Sequence, residues 1–272
     1  VAVRVVFFVS CDGDHRDLPP CPAQAWSDLG ALALAACFQQ AGLVKGDDVV
    51  FFAPSRDAAT AFEQAIPGSR DLEDELSVAE QAELLFLAVK PQVMPVVFER
   101  LAGKITPSTL VVSIAAGIGL DRLVKELASE RVIRVMPNTP CLIGQGASAF
   151  SCADSVSSED CQLVQGLLES VGIAIQVEEG QMDAVTGLSG SGPAYIYRVI
   201  ELLSEAGEAQ GLPRQVAQQL AVQTALGAAS MVRQTGESPE VLIDHVSSPG
   251  GTTVAGLKSL ADHGLAEALM AA

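Results

Sequence analysis

Leu84 to Ile114 reads LLFLAVKPQVMPVVFERLAGKITPSTLVVSI. It opens on an apolar run of strand length, Leu84–Val89, stopped by Lys90-Pro91. Gln92–Ala102 follows with helix-like character, and Leu110–Ile114 is a second apolar run. Neither run alternates apolar with polar residues, as a strand with one wet face would. Continuous apolar runs belong to parallel strands covered on both faces by helices. Strand, helix, strand in this form is the repeating unit of an α/β sheet.

The same alternation extends in both directions. Upstream, Val3–Val9 (VRVVFFV) and Val49–Phe52 (VVFF) read as strands, with helices over Asp28–Gly42 and Asp57–Ala65. Downstream lie a helix over Leu120–Ala128, a strand over Val132–Met136, and further strands over Ala147–Phe150 and Ile173–Val177. Between the last two, Ser158–Ser170 is an amphipathic helix with Ser157 or Ser158 as N-cap. After about Gly180 the strands stop. Tyr195–Ala206 carries Ile196, Val199, Ile200 and Leu203 at helical spacing. Pro213 opens a helix striped by Val216, Leu220, Thr224, Gly227 and Met231. Val254–Ala261 and Leu265–Ala271 are the last two helices. The expectation is an α/β half over residues 1–180 and an all-helical half over 181–272.

Composition narrows the function classes. Hydrophobic residues form 49% of the 272, enough for a substantial core. Against 16 basic residues stand 33 acidic ones, a formal net charge of −17. Nucleic acid is excluded as a general partner, because phosphate neutralisation needs clustered Lys and Arg. No run of 18 apolar residues occurs, so no membrane helix is expected. The six cysteines form no CxxC pair and no zinc pattern with the three histidines, so no metal is expected. They read as free thiols in a reducing compartment, with a local disulfide among Cys11, Cys21 and Cys37 left open. The chain does not begin with Met, which suits a processed or incomplete product.

Several short segments carry chemistry. In Ser247–Thr253 (SSPGGTT), Pro249 stiffens the turn and Gly250 and Gly251 let a ligand approach the backbone. The helix that follows presents free N–H groups, so the loop suits a carboxylate. It equally suits an ordinary turn with a Thr N-cap. Leu188–Tyr195 (LSGSGPAY) has the same double reading, and both loops could line one cleft. Ala88–Pro91 (AVKP) and Met136–Pro140 (MPNTP) end parallel strands, the edge at which open α/β sheets bind ligands. Lys90 there could meet phosphate or solvent; Asn138 and Thr139 could bond a nucleotide or cap the turn. Ser55 and Arg56 follow the second strand where an acidic residue usually accepts a ribose hydroxyl. A serine and an arginine favour a 2′-phosphate and hence NADPH, while Asp57 keeps NADH open.

The glycine loop expected after the first strand is missing. After Val9 the chain reads Ser10-Cys11-Asp12-Gly13-Asp14-His15, and no other glycine precedes Gly30. Asp12 and Asp14 would repel a pyrophosphate. No Walker-type loop and no nucleophile elbow is present, and His245 is a lone histidine without a nucleophile.

Asp183–Tyr197 (DAVTGLSGSGPAYIY), Leu212–Val232 (LPRQVAQQLAVQTALGAASMV) and Val246–Gly264 (VSSPGGTTVAGLKSLADHG) together resemble the pyrroline-5-carboxylate reductase family closely. LAVKPQV (Leu87–Val93), LVVSIAAGI (Leu110–Ile118) and VMPNTP (Val135–Pro140) match its N-terminal domain, and the resemblance runs from about Gly42 to the end. It implies a Rossmann-type N-terminal domain and a helical C-terminal dimerisation domain, with homodimers that assemble into decamers in several members. It implies reduction of 1-pyrroline-5-carboxylate to L-proline by hydride from NAD(P)H. The substrate carboxylate would be held by the Ser248 hydroxyl and backbone N–H groups around Gly250, Gly251, Thr252 and Thr253. Thr253 would sit near the imine nitrogen as the catalytic residue, orienting it. Ser55 and Arg56 would touch the 2′-phosphate. Ala88, Val89, Lys90 and Pro91 would pass the nicotinamide ribose or diphosphate, and Met136, Asn138 and Thr139 would border the cofactor cleft.

Two departures stand against the resemblance. Where the family has a short glycine turn, this chain has a polar stretch, so either the loop was replaced or an exon or frame was misread there. The last helix also stops about 15 residues short of the family's usual end, an expectation from the resemblance alone. The alternative function is a catalytically impaired homolog that serves as an oligomerising or regulatory partner. A reductase for another small carboxylate fits the signature loop less well. The expected compartment is the cytoplasm, or a plastid or mitochondrion in a eukaryote.

Overall fold

The computed structural model describes residues 5–9, 26–53, 56–72 and 74–272. Contacts divide the chain into two compact units, Val1–Pro193 and Ala194–Ala272.

The first unit is built on an eight-stranded sheet. Its strands are β1 (Val5–Val9), β2 (Val49–Phe52), β3 (Arg70–Asp71), β4 (Leu84–Ala88), β5 (Leu110–Ser113), β6 (Val132–Met136), β7 (Gly146–Cys152) and β8 (Gly172–Gln176). Their spatial order is β3-β2-β1-β4-β5-β6-β7-β8. All pairs are parallel except β6–β7, where Val135 pairs with Phe150. Strand order reverses between β1 and β4, so the fold is the doubly wound, Rossmann-type sheet that the apolar runs imply.

Helices cover both faces: α1 (Trp26–Gln40), α2 (Arg56–Ala65), α3 (Glu75–Gln81), α4 (Met94–Leu101), α5 (Leu120–Leu127) and α6 (Ser158–Glu169). The two-residue period of the strands divides the core. Phe7, Phe51, Phe86 and Val112 point to one side and pack with Leu34 and Phe38 of α1, Phe62 of α2 and Leu168 of α6. Val6, Val50, Leu85 and Val111 point to the other, against Val97 and Leu101 of α4 and Leu123 of α5. Phe7 and Phe86 stack at 4.9 Å between ring centroids, with Phe38 and Phe62 tilted against them. Each fully buried aromatic of this kind contributes about 1.5–3 kcal/mol by leaving water. Polar links complete the frame. Arg131 makes a bidentate bond to Asp160 at 2.8 Å, and Arg134, buried in β6, meets Glu179 at 2.5 Å.

The first unit ends in a short helix α7 (Met182–Val185), a π-helical turn Thr186–Gly190, and the start of α8 (Gly192–Ala209). The second unit is helical: the rest of α8, α9 (Arg214–Thr235), α10 (Pro239–His245), α11 (Thr252–Asp262) and α12 (Leu265–Ala271). Gly207 packs α8 on α9 so closely that a Cβ there would lie 3.1 Å from the Ala217 methyl.

Several boundaries differ from the sequence expectation. Pro213 is the N-cap of α9 rather than its first helical residue, with extended ψ of 136°. Ser157, one of the two serines expected there, does cap α6, its hydroxyl accepting from the Asp160 N–H. Gly251, not a threonine, is the N-cap of α11. Elements β3, α3 and α10 were not anticipated. The compact units divide at Pro193, and the strands end at Gln176.

Candidate functional site

Parallel strands β4, β5 and β6 lie side by side and end at one edge of the sheet. The chain leaves each through a short segment: Val89-Lys90-Pro91, Ile114-Ala115-Ala116, and Pro137-Asn138-Thr139. These segments and the strand ends Ala88 and Met136 line a cavity of about 380 Å³. Thr186, Gly190 and Ser191 close another side of it. No acidic side chain lines it among the described residues, so it tolerates an anionic ligand in a chain of net charge −17. Ala88, Ala115 and Ala116 leave room for a flat ring against the strand ends.

Asn138 ties the two walls together. Its Oδ1 accepts from the Ala147 N–H at 2.9 Å, and its Nδ2 donates to the Ser189 carbonyl at 3.0 Å. The side chain therefore braces the π-helical turn against the end of β6 and makes no capping bond. The turn is shaped by an i to i+5 bond from the Ser191 N–H to the Thr186 carbonyl at 2.8 Å. One inserted residue of this kind is common at functional sites. Thr186 and Ser189 hydroxyls donate back to Met182 and Val185 carbonyls. Gly190 is where the Met136 side chain passes: a Cβ there would meet Met136 Cε at 2.5 Å.

Seven of the residues expected at a cofactor line this cavity: Ala88, Val89, Lys90, Pro91, Met136, Asn138 and Thr139. Arg56 opens α2 just beyond β2; its side chain is exposed and pairs with Glu63 at 3.8 Å. Ser55 and the Ser10–Ala25 stretch, where a glycine loop would stand, lie outside the described residues. Pro137 lies in the Met136–Pro140 strand end and Gly190 and Ser191 in the Leu188–Tyr195 loop, both read from the sequence as possible ligand contacts, whereas Ile114–Ala116 and Thr186 are not among the expected site residues. Ile114–Ala116 follows β5 as Val89–Pro91 follows β4, which is the signal that would have found it.

In the helical unit, Ser247–Thr253 forms a tight loop. Gly250 has φ +70°, a conformation that disfavours other residues. The Gly251 N–H donates to the Ser248 carbonyl at 2.9 Å, and a Cβ on Gly251 would lie 2.5 Å from Ser248 Oγ. With that N–H committed, Thr252, Thr253 and Val254 at the start of α11 are the amides without a partner inside the helix. Thr253 is half-buried and Thr252 exposed. Among the described residues no group of His, Cys, Asp or Glu could hold a metal ion, and no helix is long and apolar enough to cross a membrane.

The comparisons agree with this geometry. Residues 179–272 match a model described as pyrroline-5-carboxylate reductase dimerisation, and residues 29–117 one described as NADP oxidoreductase coenzyme F420-dependent. The pyrroline-5-carboxylate reductase of Glycine max is 47% identical over 193 residues, covering 71% of this chain and 70% of the relative. The solved pyrroline-5-carboxylate reductase of Coxiella burnetii superposes with a TM-score of 0.84 at 29% identity, over 99% of this chain and 94% of that one. The Plasmodium falciparum pyrroline carboxylate reductase, solved with NADP bound, gives 0.82 at 28% identity, over 98% and 93%. Its doubly wound first unit, its helical second unit and these likenesses together show that the chain belongs to the pyrroline-5-carboxylate reductase family.

Proposed function

We propose that this chain reduces 1-pyrroline-5-carboxylate to L-proline with a reduced nicotinamide cofactor, NADPH in preference to NADH. The observation that carries the reading is the apolar, acid-free cavity at the ends of β4, β5 and β6, lined by the family's own motif residues. Its small, flat walls fit a nicotinamide ring, and Ala88–Pro91 with Met136–Thr139 would hold that half of the cofactor. Bound there, the cofactor supplies two electrons as hydride. Arg56, exposed beyond β2, is the residue that would meet a 2′-phosphate, together with Ser55. The NADP bound to the Plasmodium relative is consistent with that choice.

The chain's own contribution is alignment and charge complementarity. The Ser248 hydroxyl and the amides of Thr252 and Thr253, at the turn made by Gly250 and Gly251, would hold the substrate carboxylate. Thr253 Oγ would accept from the protonated imine nitrogen and fix the face presented for reduction. A threonine hydroxyl is too weak an acid to be the proton source, so its role is orientation. The helical unit would pair with a second copy. Its only residues withdrawn from water are Ser204, Ala217 and Ala221, while Leu203, Leu220 and Leu226 stand about half exposed. Assembly of dimers into decamers would follow the family.

A second reading is an impaired homolog that acts within mixed oligomers. It is favoured by the sequence after Val9, where Asp12 and Asp14 stand in place of a glycine run. Equilibrium binding of NADPH separates the two. Binding with substrate-dependent turnover supports the reductase. Failure of a folded sample to bind either cofactor supports the impaired partner.

A further inference from the structure

We propose that Cys152 and Cys161 are a dithiol that closes reversibly to a disulfide, a modification site that stitches the end of β7 to the first turn of α6. Their Sγ atoms lie 2.7 Å apart, inside van der Waals contact of two sulfurs and close to the bonded S–S length of about 2.05 Å. Both elements are held in place independently of the sulfurs. The strand β7 is paired on both edges, with β6 and β8. The start of α6 is fixed by the Ser157 cap and by the Arg131–Asp160 pair, next in sequence to Cys161. The thiols are thus presented to each other by the fold. The other close sulfur contact differs: Cys37 Sγ lies 3.9 Å from the Cys141 carbonyl oxygen, with Cys141 fully buried.

Cys152 and Cys161 are half-buried, and Cys152 also lines an open hollow with Asp121, Lys125, Glu130 and Asp154, so a small oxidant can reach it. The excess of carboxylates there disfavours an anionic disulfide and favours a neutral one. Burial pushes the Cys152 thiol up, with Cys161 and Asp160 adding to the effect, which keeps Cys152 a thiol near neutrality. Closure is thiol–disulfide exchange with a neutral low-molecular-weight disulfide, RSSR. One cysteine thiolate attacks a sulfur of RSSR and expels a thiolate, which takes the proton. The second thiolate then attacks the cysteine sulfur of the mixed disulfide and expels the other half. The net change is two protein thiols oxidised to one disulfide and RSSR reduced to two RSH.

The test treats the purified chain with bis(2-hydroxyethyl) disulfide at mildly alkaline pH, blocks remaining thiols by alkylation, and maps peptides by mass spectrometry. No Lys or Arg lies between Arg134 and Arg198, so trypsin alone leaves Cys141, Cys152 and Cys161 on one peptide. Added cleavage after Glu159 separates Cys161 from the other two, and fragment ions distinguish Cys141 from Cys152. The expected result is a Cys152–Cys161 bridge, reopened by dithiothreitol, and no bridge from Cys152 in Cys161→Ser. Alkylation of both cysteines in the oxidised wild-type chain, or a bridge from either to another cysteine, would overturn the proposal.

Discussion

Thr253 and Asn138, one in each unit, show how differently two polar residues act. Thr253 is half-buried in the first turn of α11, beside a loop whose Gly251 amide is already committed. Thr253→Ala is expected to lower kcat by about tenfold or more while leaving the cofactor KM unchanged, and Thr253→Ser to restore most of the rate. Steady-state kinetics on both variants checks it; a near-normal Thr253→Ala rate would discard the role. Asn138 acts by bracing. Asn138→Ala leaves the Ala147 N–H and the Ser189 carbonyl without their partner, at a cost of about 1–3 kcal/mol. A calorimetric Tm lower by several degrees, with a raised cofactor KM, is the expected outcome. Unchanged values would mean that the two walls of the cavity hold without it.

The elements differ in how far their sequences announced them. Continuous apolar runs marked β1, β2, β4 and β5, because strands buried on both faces need nothing else, and β6 was marked by apolar residues on either side of Arg134. Arg70-Asp71 carries no such pattern, and β3 exists only because β2 offers it an edge to pair with. The helix α10 is short, and its signal, the Ser238 cap before Pro239, is easily taken for a loop. The π-helical turn was illegible for another reason: its glycines and serines read as a tight turn, and only tertiary packing brings Gly190 against Met136. The cavity was half legible. Ala88–Pro91 and Met136–Thr139 follow from the rule that ligands sit at strand ends, whereas Thr186 to Ser191 are delivered by the fold. The junction of β7 and β8 gives a sharp test at this scale. Gly172 has φ +152°, and a Cβ there would lie 2.0 Å from the Gly146 carbonyl oxygen. Gly172→Ala should cost about 3 kcal/mol or more, read as a lower urea midpoint. An unchanged midpoint would show that the two strands can part without penalty.

At the scale of the whole molecule, charge and apolar surface set the behaviour. Burial pulls the Asp160 carboxyl up, but the Arg131 guanidinium and Ser157 outweigh it and hold it below the usual carboxylate range. A depressed folded value stabilises the protein above the unfolded value, and that stability is lost as pH falls through the folded value. Stability should therefore decline below about pH 4, and Arg131→Gln should flatten the decline. Thermal melts across that range check both. In the proposed pairing of the helical unit the half-exposed leucines of α9 would lie at the interface: Leu220→Glu with Leu226→Glu should then weaken self-association in sedimentation velocity, and an unchanged sedimentation coefficient would move the interface elsewhere. The proposed function requires that the first unit take a nicotinamide cofactor and that this chain turn over a cyclic imino acid. Its most direct test is the loss of nicotinamide absorbance in the purified protein with 1-pyrroline-5-carboxylate, run with NADPH and with NADH. Substrate-dependent oxidation, faster with NADPH, is expected; a folded protein that oxidises neither cofactor would overturn the proposed function.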